Sequence, residues 1–457
     1  MDDSRAWLAG ASVLVCGAGL AGESATRALL SRGAEVQIAD DRQPSSIDLL
    51  VRLGARFIGS PQAVPAGIDL VVTSPGWRPD HRLLASAIAA GIEVVGEVEF
   101  AWRLREPDAA PWLAVTGTNG KTTTARMLEA MLIASGARAR AVGNVGVSII
   151  DAVTDALPYD VLAVELSSFQ LHWSCTIAPS AGVVLNLAPD HLDWHGSMAN
   201  YAATKARIWS GATAVGNADD ANVARMLGSA SSPRRVSFTL GEPARGQLGV
   251  RDGVIVDNAF GESIEIASST QVRPAGAHNV ANALAATALA RSHGLSAQFI
   301  ADGLRAFVPD PHRNQSLFVR NGVAFVDDSK ATNPHAAHAS LSAYERIVWI
   351  AGGQLKGAPV EDLVAAVADR LAGAVLLGVD RAAIAQALRR HAPDVRVIEV
   401  NSTDDGIMTE VVQAAAGLAR PGDTVLLAPA AASYDMFSGY AARGEAFAEA
   451  AWNLGAS

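Results

Sequence analysis

Short apolar runs alternate with helix-patterned stretches along the whole chain, and few architectures accept that order. Ser12-Val13-Leu14-Val15-Cys16 reads as a buried strand, a helical pattern follows to about Ser31, and Glu35–Ala39 is a second strand. Residues 69–73 and 93–95 add further strands. Strands that alternate with helices build a parallel sheet covered on both faces. The polar stretch Arg105-Glu106-Pro107-Asp108 reads as a linker. A second unit opens at Trp112–Thr116, with strands at Val161–Glu165 and 182–187 and a long helix from about Ser197. Short strand-like runs between 234 and 273 predict a small antiparallel patch, and a helix over 278–292 closes this part. A third unit follows Pro309-Asp310-Pro311, with strands at 323–326, 347–351, 374–377 and Thr424–Leu427 and a final helix over 444–454. The chain therefore divides into three α/β domains, 1–107, 108–309 and 310–457, a number its 457 residues accommodate.

Composition removes several classes of function. A formal charge of −10 argues against nucleic acid as a partner, because phosphate neutralisation needs a basic surface. The two cysteines, Cys16 and Cys175, both lie in apolar, strand-like surroundings and make no disulfide framework, so a reducing cytoplasm is expected. No apolar run approaches about 18 residues, which excludes a membrane span. The start, Met1-Asp2-Asp3-Ser4-Arg5, is acidic where a secretion signal is basic. Of 36 basic residues only four are lysines, Lys121, Lys205, Lys330 and Lys356. Arginine serves almost everywhere else, so each lysine is a candidate for chemistry that a guanidinium cannot do.

Two glycine clusters follow strands. Gly17-Ala18-Gly19-Leu20-Ala21-Gly22 stands between a strand and a helix, with Asp40 and Asp41 at the end of the next strand. This pattern brings a backbone close to a nucleotide diphosphate and offers an acid to ribose, and it also fits a tight βα turn that binds nothing. Ser74-Pro75-Gly76 ends another strand of the same unit and either lines that crevice or is a plain turn. Thr116-Gly117-Thr118-Asn119-Gly120-Lys121-Thr122 is a variant phosphate loop, with its first glycine at 117 and Val115 where the strict pattern has glycine. Its Lys121 is suited to the β- and γ-phosphates of ATP and its Thr122 to Mg²⁺. Glu165 ends a buried strand, where a carboxylate points into the crevice and holds Mg²⁺ or else caps the next helix. Pro189-Asp190-His191-Leu192-Asp193-Trp194-His195 is a polar loop of the kind that collects catalytic groups or is merely solvated. Asn279 and Asn282, three apart, share a helix face, where an amide meets a base edge or Asn279 caps the helix.

In this order these segments resemble the Mur ligases, ATP-dependent amide-forming enzymes of bacterial cell-wall synthesis. The resemblance covers the whole chain. Glu165-Leu166-Ser167-Ser168-Phe169-Gln170-Leu171, Asp327-Asp328-Ser329-Lys330-Ala331-Thr332-Asn333 and Ala428-Pro429-Ala430-Ala431-Ala432-Ser433 are similar to the branch that adds D-glutamate. The resemblance implies a Rossmann-like N-terminal domain, a central P-loop mononucleotide-binding domain and a Rossmann-like C-terminal domain. It also reassigns the first glycine cluster from a dinucleotide to the UDP of a muramoyl substrate. It implies uridine contacts at Leu20, Ala21, Asp40, Asp41 and Arg42, and diphosphate or sugar contacts at Ser74, Gly76, Gly143 and Asn144. It places ATP at Gly117, Thr118, Asn119, Gly120, Lys121, Thr122 and Thr123, with Asn282, Arg313 and Asp328 at the adenosine or phosphates. Two Mg²⁺ ions are implied, with Thr122, Glu165, His191 and Lys205 around them and Lys205 as a carbamate. Lys330, Thr332, Lys356, Ser433, Tyr434 and Tyr440 fall in the region that receives D-glutamate and the reacting carboxylate. Ala21 stands where a hydroxyl residue is common, Ala431 where cysteine is usual and Tyr440 where phenylalanine is frequent.

The implied reaction joins D-glutamate to UDP-N-acetylmuramoyl-L-alanine through an acyl phosphate and a tetrahedral intermediate, in a monomeric cytoplasmic enzyme. Three rivals remain. A nicotinamide dehydrogenase uses Gly17–Gly22 but leaves the phosphate loop and Lys205 without a purpose. A phosphate-loop motor or switch leaves the third domain without one. The L-alanine-adding branch of the same family is the nearest alternative.

Overall fold

The structure is a computed structural model that describes residues 8–42, 46–106, 108–401 and 406–454. Pro107 of the expected linker and the acidic start Met1-Asp2-Asp3-Ser4-Arg5 lie outside the described residues. Among the described residues, twenty strands form three sheets. The first holds β1 (Ser12–Cys16), β2 (Glu35–Ala39), β3 (Arg56–Phe57), β4 (Leu70–Thr73) and β5 (Glu93–Gly96) in the order β3-β2-β1-β4-β5, all parallel. Val13 and Val15 enter one apolar cluster and Leu14 and Cys16 another, so β1 is covered on both faces, as parallel strands are.

The second sheet contains β6 (Trp112–Thr116), β7 (Ala139–Gly143), β8 (Val161–Glu165), β9 (Ala181–Val184), β10 (Thr213–Asn217), β11 (Arg234–Phe238), β12 (Gln247–Arg251), β13 (Val254–Asp257) and β14 (Ile264–Ser268). Its order is β14-β13-β12-β11-β10-β9-β6-β8-β7. It is parallel up to the β11–β12 pair, after which β13 and β14 add antiparallel. The runs between 234 and 273 thus extend the main sheet, and only their outer strands are antiparallel.

The third sheet holds β15 (Gln315–Arg320), β16 (Val323–Asp327), β17 (Ile347–Gly352), β18 (Leu371–Leu377), β19 (Val397–Glu399) and β20 (Thr424–Leu427) in the order β15-β16-β20-β17-β18-β19. Only β15 is antiparallel. Trp349 and Ala351 face one apolar cluster, Val348 and Ile350 the other. The final helix, Tyr440–Trp452, seals the second of these with Phe447, Ala450 and Ala451.

By packing, the chain forms two compact units: residues 1–271 with 281–307, and residues 272–280 with 308–457. The first two sheets share a unit because one apolar cluster joins Val13, Val15 and Phe100 to Trp112, Val142 and Ile150.

Four local expectations change. The strand expected over 182–187 ends at Val184, because Asn186 turns out of the sheet to bond the phosphate loop. The long helix expected from Ser197 is nine residues, Met198–Ala206, and tightens into a 3₁₀ turn at Arg207–Trp209. Cys175 is exposed in a bend rather than set in a strand, while Cys16 is buried in β1. Asn279 does not cap its helix, which starts at Ala277; it donates to Ala275 O at 3.4 Å instead. Among the described residues no helix is long and apolar enough to cross a membrane.

Candidate active site

Each sheet changes winding direction beside one strand, and in open α/β sheets the loops at the carboxyl ends of the strands there are where ligands bind. In the first sheet that strand is β1, flanked by β2 and β4. Its glycine turn meets the end of β4, where Ser74 N donates to Cys16 O at 2.8 Å. Asp40 accepts from Ala18 N at 2.7 Å and from Arg42 N at 2.9 Å, so its carboxylate fastens the turn. Asp41 bonds Ser60. Leu20 is 65% exposed at the helix start, and the buried Ser74 Oγ makes no hydrogen bond among the described residues.

In the second sheet the strand is β6, flanked by β8 and β9, and the phosphate loop follows it into the helix Lys121–Ala134. Gly120 is left-handed at φ +85°, and a Cβ there would lie 2.3 Å from Asn282 Oδ1. Asn282 therefore packs on the loop itself. Thr118 N donates to Asn186 O at 3.1 Å and Asn119 N to Asn186 Oδ1 at 2.8 Å. Asn186 Nδ2 returns a bond to Asn119 O at 3.0 Å, and Tyr201 Oη meets Thr118 Oγ1 at 3.1 Å. With those amides engaged, the seat for an anion is the start of the helix, where first-turn N–H groups have no intrahelical acceptor.

Two lysine side-chain nitrogens converge on one carbonyl. Lys121 Nζ donates to Gly117 O at 3.1 Å and Lys205 Nζ to the same oxygen at 2.8 Å. Lys205 is 1% exposed, its further bond is to Thr116 Oγ1 at 3.3 Å, and among the described residues no salt bridge holds it. Burial first, and the Lys121 charge second, push it well below the usual ammonium range, against Asp190 and Glu165. The buried Glu165 accepts from Asn144 Nδ2 at 2.8 Å through Oε1, while its buried Oε2 has no hydrogen-bond partner among the described residues. His191, left-handed at φ +52°, sits 3.4 Å from Asp190 and against the ring of Phe169. Burial lowers its pKa, helped by Lys121 and Lys205 and opposed by Asp190, so it is a neutral imidazole at pH 7.

In the third sheet the loops follow β16, β20 and β17. Asp328 accepts from Asn314 N at 3.0 Å, and burial lifts its carboxyl to about 6 despite Arg313. Lys330 Nζ lies 3.8 Å over the Tyr440 ring, and Thr332 N bonds Lys330 O. Lys356 is left-handed at φ +53°, with Nζ 5.9 Å from the ring of Tyr434, which is 68% exposed. Ser433 is buried and accepts from Phe437 N at 2.8 Å through its carbonyl.

Three family models match in register with the three sheets: the Mur ligase MurD-like N-terminal domain over 11–96, the Mur ligase middle domain over 115–290, and the Mur ligase glutamate ligase domain over 312–431. The chain is 55% identical to the UDP-N-acetylmuramoylalanine--D-glutamate ligase of Thermobifida fusca, across 96% of this chain and 98% of that one. This chain belongs to the Mur ligase family. The ligase of the same description from Streptomyces coelicolor is 52% identical over 98% of this chain and 99% of its own, and that of Mycobacterium tuberculosis 48% over 96% and 95%. The fold also matches the UDP-N-acetylmuramate-alanine ligase of Thermotoga maritima, with a TM-score of 0.59 at 18% identity over 97% of this chain and 99% of that one. A MurF from Acinetobacter baumannii gives 0.58 at 18% identity, over 93% and 89%.

Sequence reasoning missed several residues that hold this Mur ligase site in shape. Asn186 and Tyr201 brace the phosphate loop across 67 and 83 residues of chain. Arg443, 1% exposed, donates to Ser329 O, Ser329 Oγ, Ala431 O and Gly352 O, and so ties together the loops that carry Lys330, Ser433 and Lys356. The one available signal was an arginine inside an otherwise apolar helix face. Glu165 Oε2, a buried carboxylate oxygen with no hydrogen-bond donor among the described residues, is an oxygen ligand suited to a hard divalent cation. No group of three or more His, Cys, Asp or Glu side chains that could hold a metal ion is gathered among the described residues.

Proposed function

We propose that this Mur ligase forms the amide between D-glutamate and UDP-N-acetylmuramoyl-L-alanine, converting ATP to ADP and phosphate, as a step in peptidoglycan precursor synthesis. The observation that carries this reading is identity of 48–55% to D-glutamate ligases over nearly the full length of both chains. A carboxylate is a poor electrophile, and phosphorylation by ATP turns it into an acyl phosphate that an amine can attack. Lys121 neutralises charge on the transferring phosphoryl group. Asn186 keeps the loop in the shape that receives the phosphates. Thr122, Glu165 and His191, with Lys205 as its carbamate, would hold Mg²⁺, which supplies Lewis-acid charge neutralisation. Low basicity at Lys205 supports carbamate formation, since only a neutral amine adds to CO₂. Leu20, Ala21, Asp40, Asp41, Arg42, Ser74, Gly76, Gly143 and Asn144 would receive the UDP-sugar. Arg313 and Asp328 would meet ATP, and Lys330, Thr332, Lys356, Ser433, Tyr434 and Tyr440 the amino acid.

ADP release, measured with a panel of amino acids, tests the reading. Release is expected to require both UDP-N-acetylmuramoyl-L-alanine and D-glutamate. Equal turnover of UDP-N-acetylmuramate with L-alanine would move the chain to the L-alanine-adding branch.

A further inference from the structure

The reaction needs a proton acceptor that none of the residues assigned so far supplies. Amino acids enter as ammonium ions near pH 7, and an ammonium has no lone pair with which to attack. Lys121 is a phosphate-neutralising cation, and His191, Lys205 and Glu165 are committed to the metal in the reading above. In the second compact unit a histidine is set up for the task.

His312 Nδ1 lies 2.6 Å from Asp327 Oδ2. Asp327 is fully buried at the carboxyl end of β16, and its other oxygen accepts from Ser329 N at 2.9 Å. With Nδ1 turned to the Asp327 carboxylate, an acceptor for its N–H, Nε2 is the ring nitrogen left to face a substrate. Nε2 makes no hydrogen bond among the described residues, and the side chain keeps 12% of its surface exposed. The backbone fixes the ring as well. His312 is left-handed at φ +61°, its N–H donates to Gln315 Oε1 at 3.0 Å, and its carbonyl accepts from Lys330 N at 3.1 Å. The final helix approaches so closely that a Cβ on Gly444 would fall 2.2 Å from Nδ1 and 2.8 Å from Asp327 Oδ2. The ring of Tyr440 stands 6.4 Å away with Lys330 Nζ over it, so the dyad borders the groups assigned to the amino acid. The charged and titratable groups around it are Asp327 on β16, Asp328 and Lys330 on the next loop, Arg313 beside it, and Tyr440 and Arg443 on the final helix.

We propose that His312, oriented by Asp327, is the general base that takes a proton from the ammonium of the incoming amino acid. The inference rests on the ligase reading. One ammonium proton passes to Nε2, giving an imidazolium paired with Asp327. The freed nitrogen lone pair forms the C–N bond at the acyl-phosphate carbon, the C–O bond to phosphate breaks, and the second nitrogen proton leaves with the phosphate. The products are amide, hydrogen phosphate and one proton released from His312 to water.

The test compares two nucleophiles on the full-length enzyme. Hydroxylamine is uncharged at neutral pH, intercepts an acyl phosphate as the hydroxamate and needs no base. His312→Gln is expected to lose about 100-fold or more in kcat with D-glutamate, within the range of general-base contributions, while hydroxamate formation stays within about threefold of wild type. The D-glutamate rate of the variant should climb about tenfold per pH unit where the wild-type rate is level, because free amine then comes only from solution. Asp327→Asn should lose D-glutamate turnover in the same selective way. If both nucleophiles slow together, or neither slows, His312 is not the base. A wild-type enzyme that rejects D-glutamate but accepts another amino acid overturns the substrate reading, and the same pair of rates taken with that amino acid still decides His312.

Discussion

A lysine with 1% of its surface exposed, and no carboxylate bonded to it among the described residues, is a costly residue to bury as a cation. Lys205 relieves that cost by giving up its proton, which burial and Lys121 both favour. A guanidinium cannot do so, its pKa being above about 12. Lys205→Arg is therefore expected to lose at least about 100-fold in turnover although charge is nominally kept. Lys205→Ala should lose as much and recover part of its rate with millimolar acetate, which returns an oxygen donor. Full activity in either variant removes the carbamate. Asp328 titrates with the opposite sense. Its folded pKa of about 6 lies above the unfolded value of about 3.9, so stability from the bound proton is complete below about pH 4 and is lost as pH rises to 6. Urea melts of wild type and Asp328→Asn across that window should therefore diverge by up to about 3 kcal/mol in favour of the variant, with no further change above pH 7. The four lysines stood out in the sequence because so few survive among 36 basic residues. Asp327 stood in a recognisable motif, but its pairing with His312 was not legible, because only a sharp left-handed turn brings a loop residue onto a strand end fifteen positions away.

The phosphate loop was legible as an element because its residue types are dictated locally: a strand, a glycine able to turn left-handed and a helix start. Its bracing was not. Asn186 reads as one more polar residue after a strand, and nothing near it in sequence says that β9 stops at Val184 so that this amide can reach Asn119. Removing the amide costs two side-chain hydrogen bonds in a part-buried place, about 1 kcal/mol each. Asn186→Ala is expected to lower kcat/KM for ATP by about 30-fold, mostly through KM, because the loop must be ordered anew by the nucleotide. Steady-state kinetics at varied ATP check this. A drop confined to kcat would mean that Asn186 acts on the chemical step and not on the loop. The helix Met198–Ala206 shows the same limit in reverse. Its periodicity was readable, but its end was not, because Ile208 and Trp209 turn into the core and Trp209 Nε1 donates to both Gly182 O and Val215 O.

At the scale of the molecule, three sheets were legible in the alternation of strand and helix patterns, but the number of cooperative cores was not, since that depends on which helices lie between sheets. The helix Glu97–Leu104 follows the first sheet directly, yet Val98, Phe100, Ala101 and Leu104 are buried in a cluster shared with the second. Its two acids are anchored there. Glu99 accepts from Cys175 N, Thr176 N and Thr176 Oγ1, and Glu97 accepts from Gln170 Nε2 at 2.6 Å. Cutting the chain after this helix would strand those donors and expose the apolar face, with each unsatisfied buried group costing about 1–3 kcal/mol. The third sheet has no such debt within its own residues: Trp349 and Ala351 on one face, and Val348, Ile350 and Phe447 on the other, are covered by helices of the same unit. A fragment of residues 308–457 is therefore expected to fold alone, with a cooperative thermal transition by circular dichroism and a dispersed amide spectrum. A fragment of residues 108–307 is expected to aggregate or stay molten, and to be rescued only when residues 1–107 are restored to it. A well-folded 108–307 fragment would show that the shared cluster contributes little, and that the first sheet is a detachable substrate module after all.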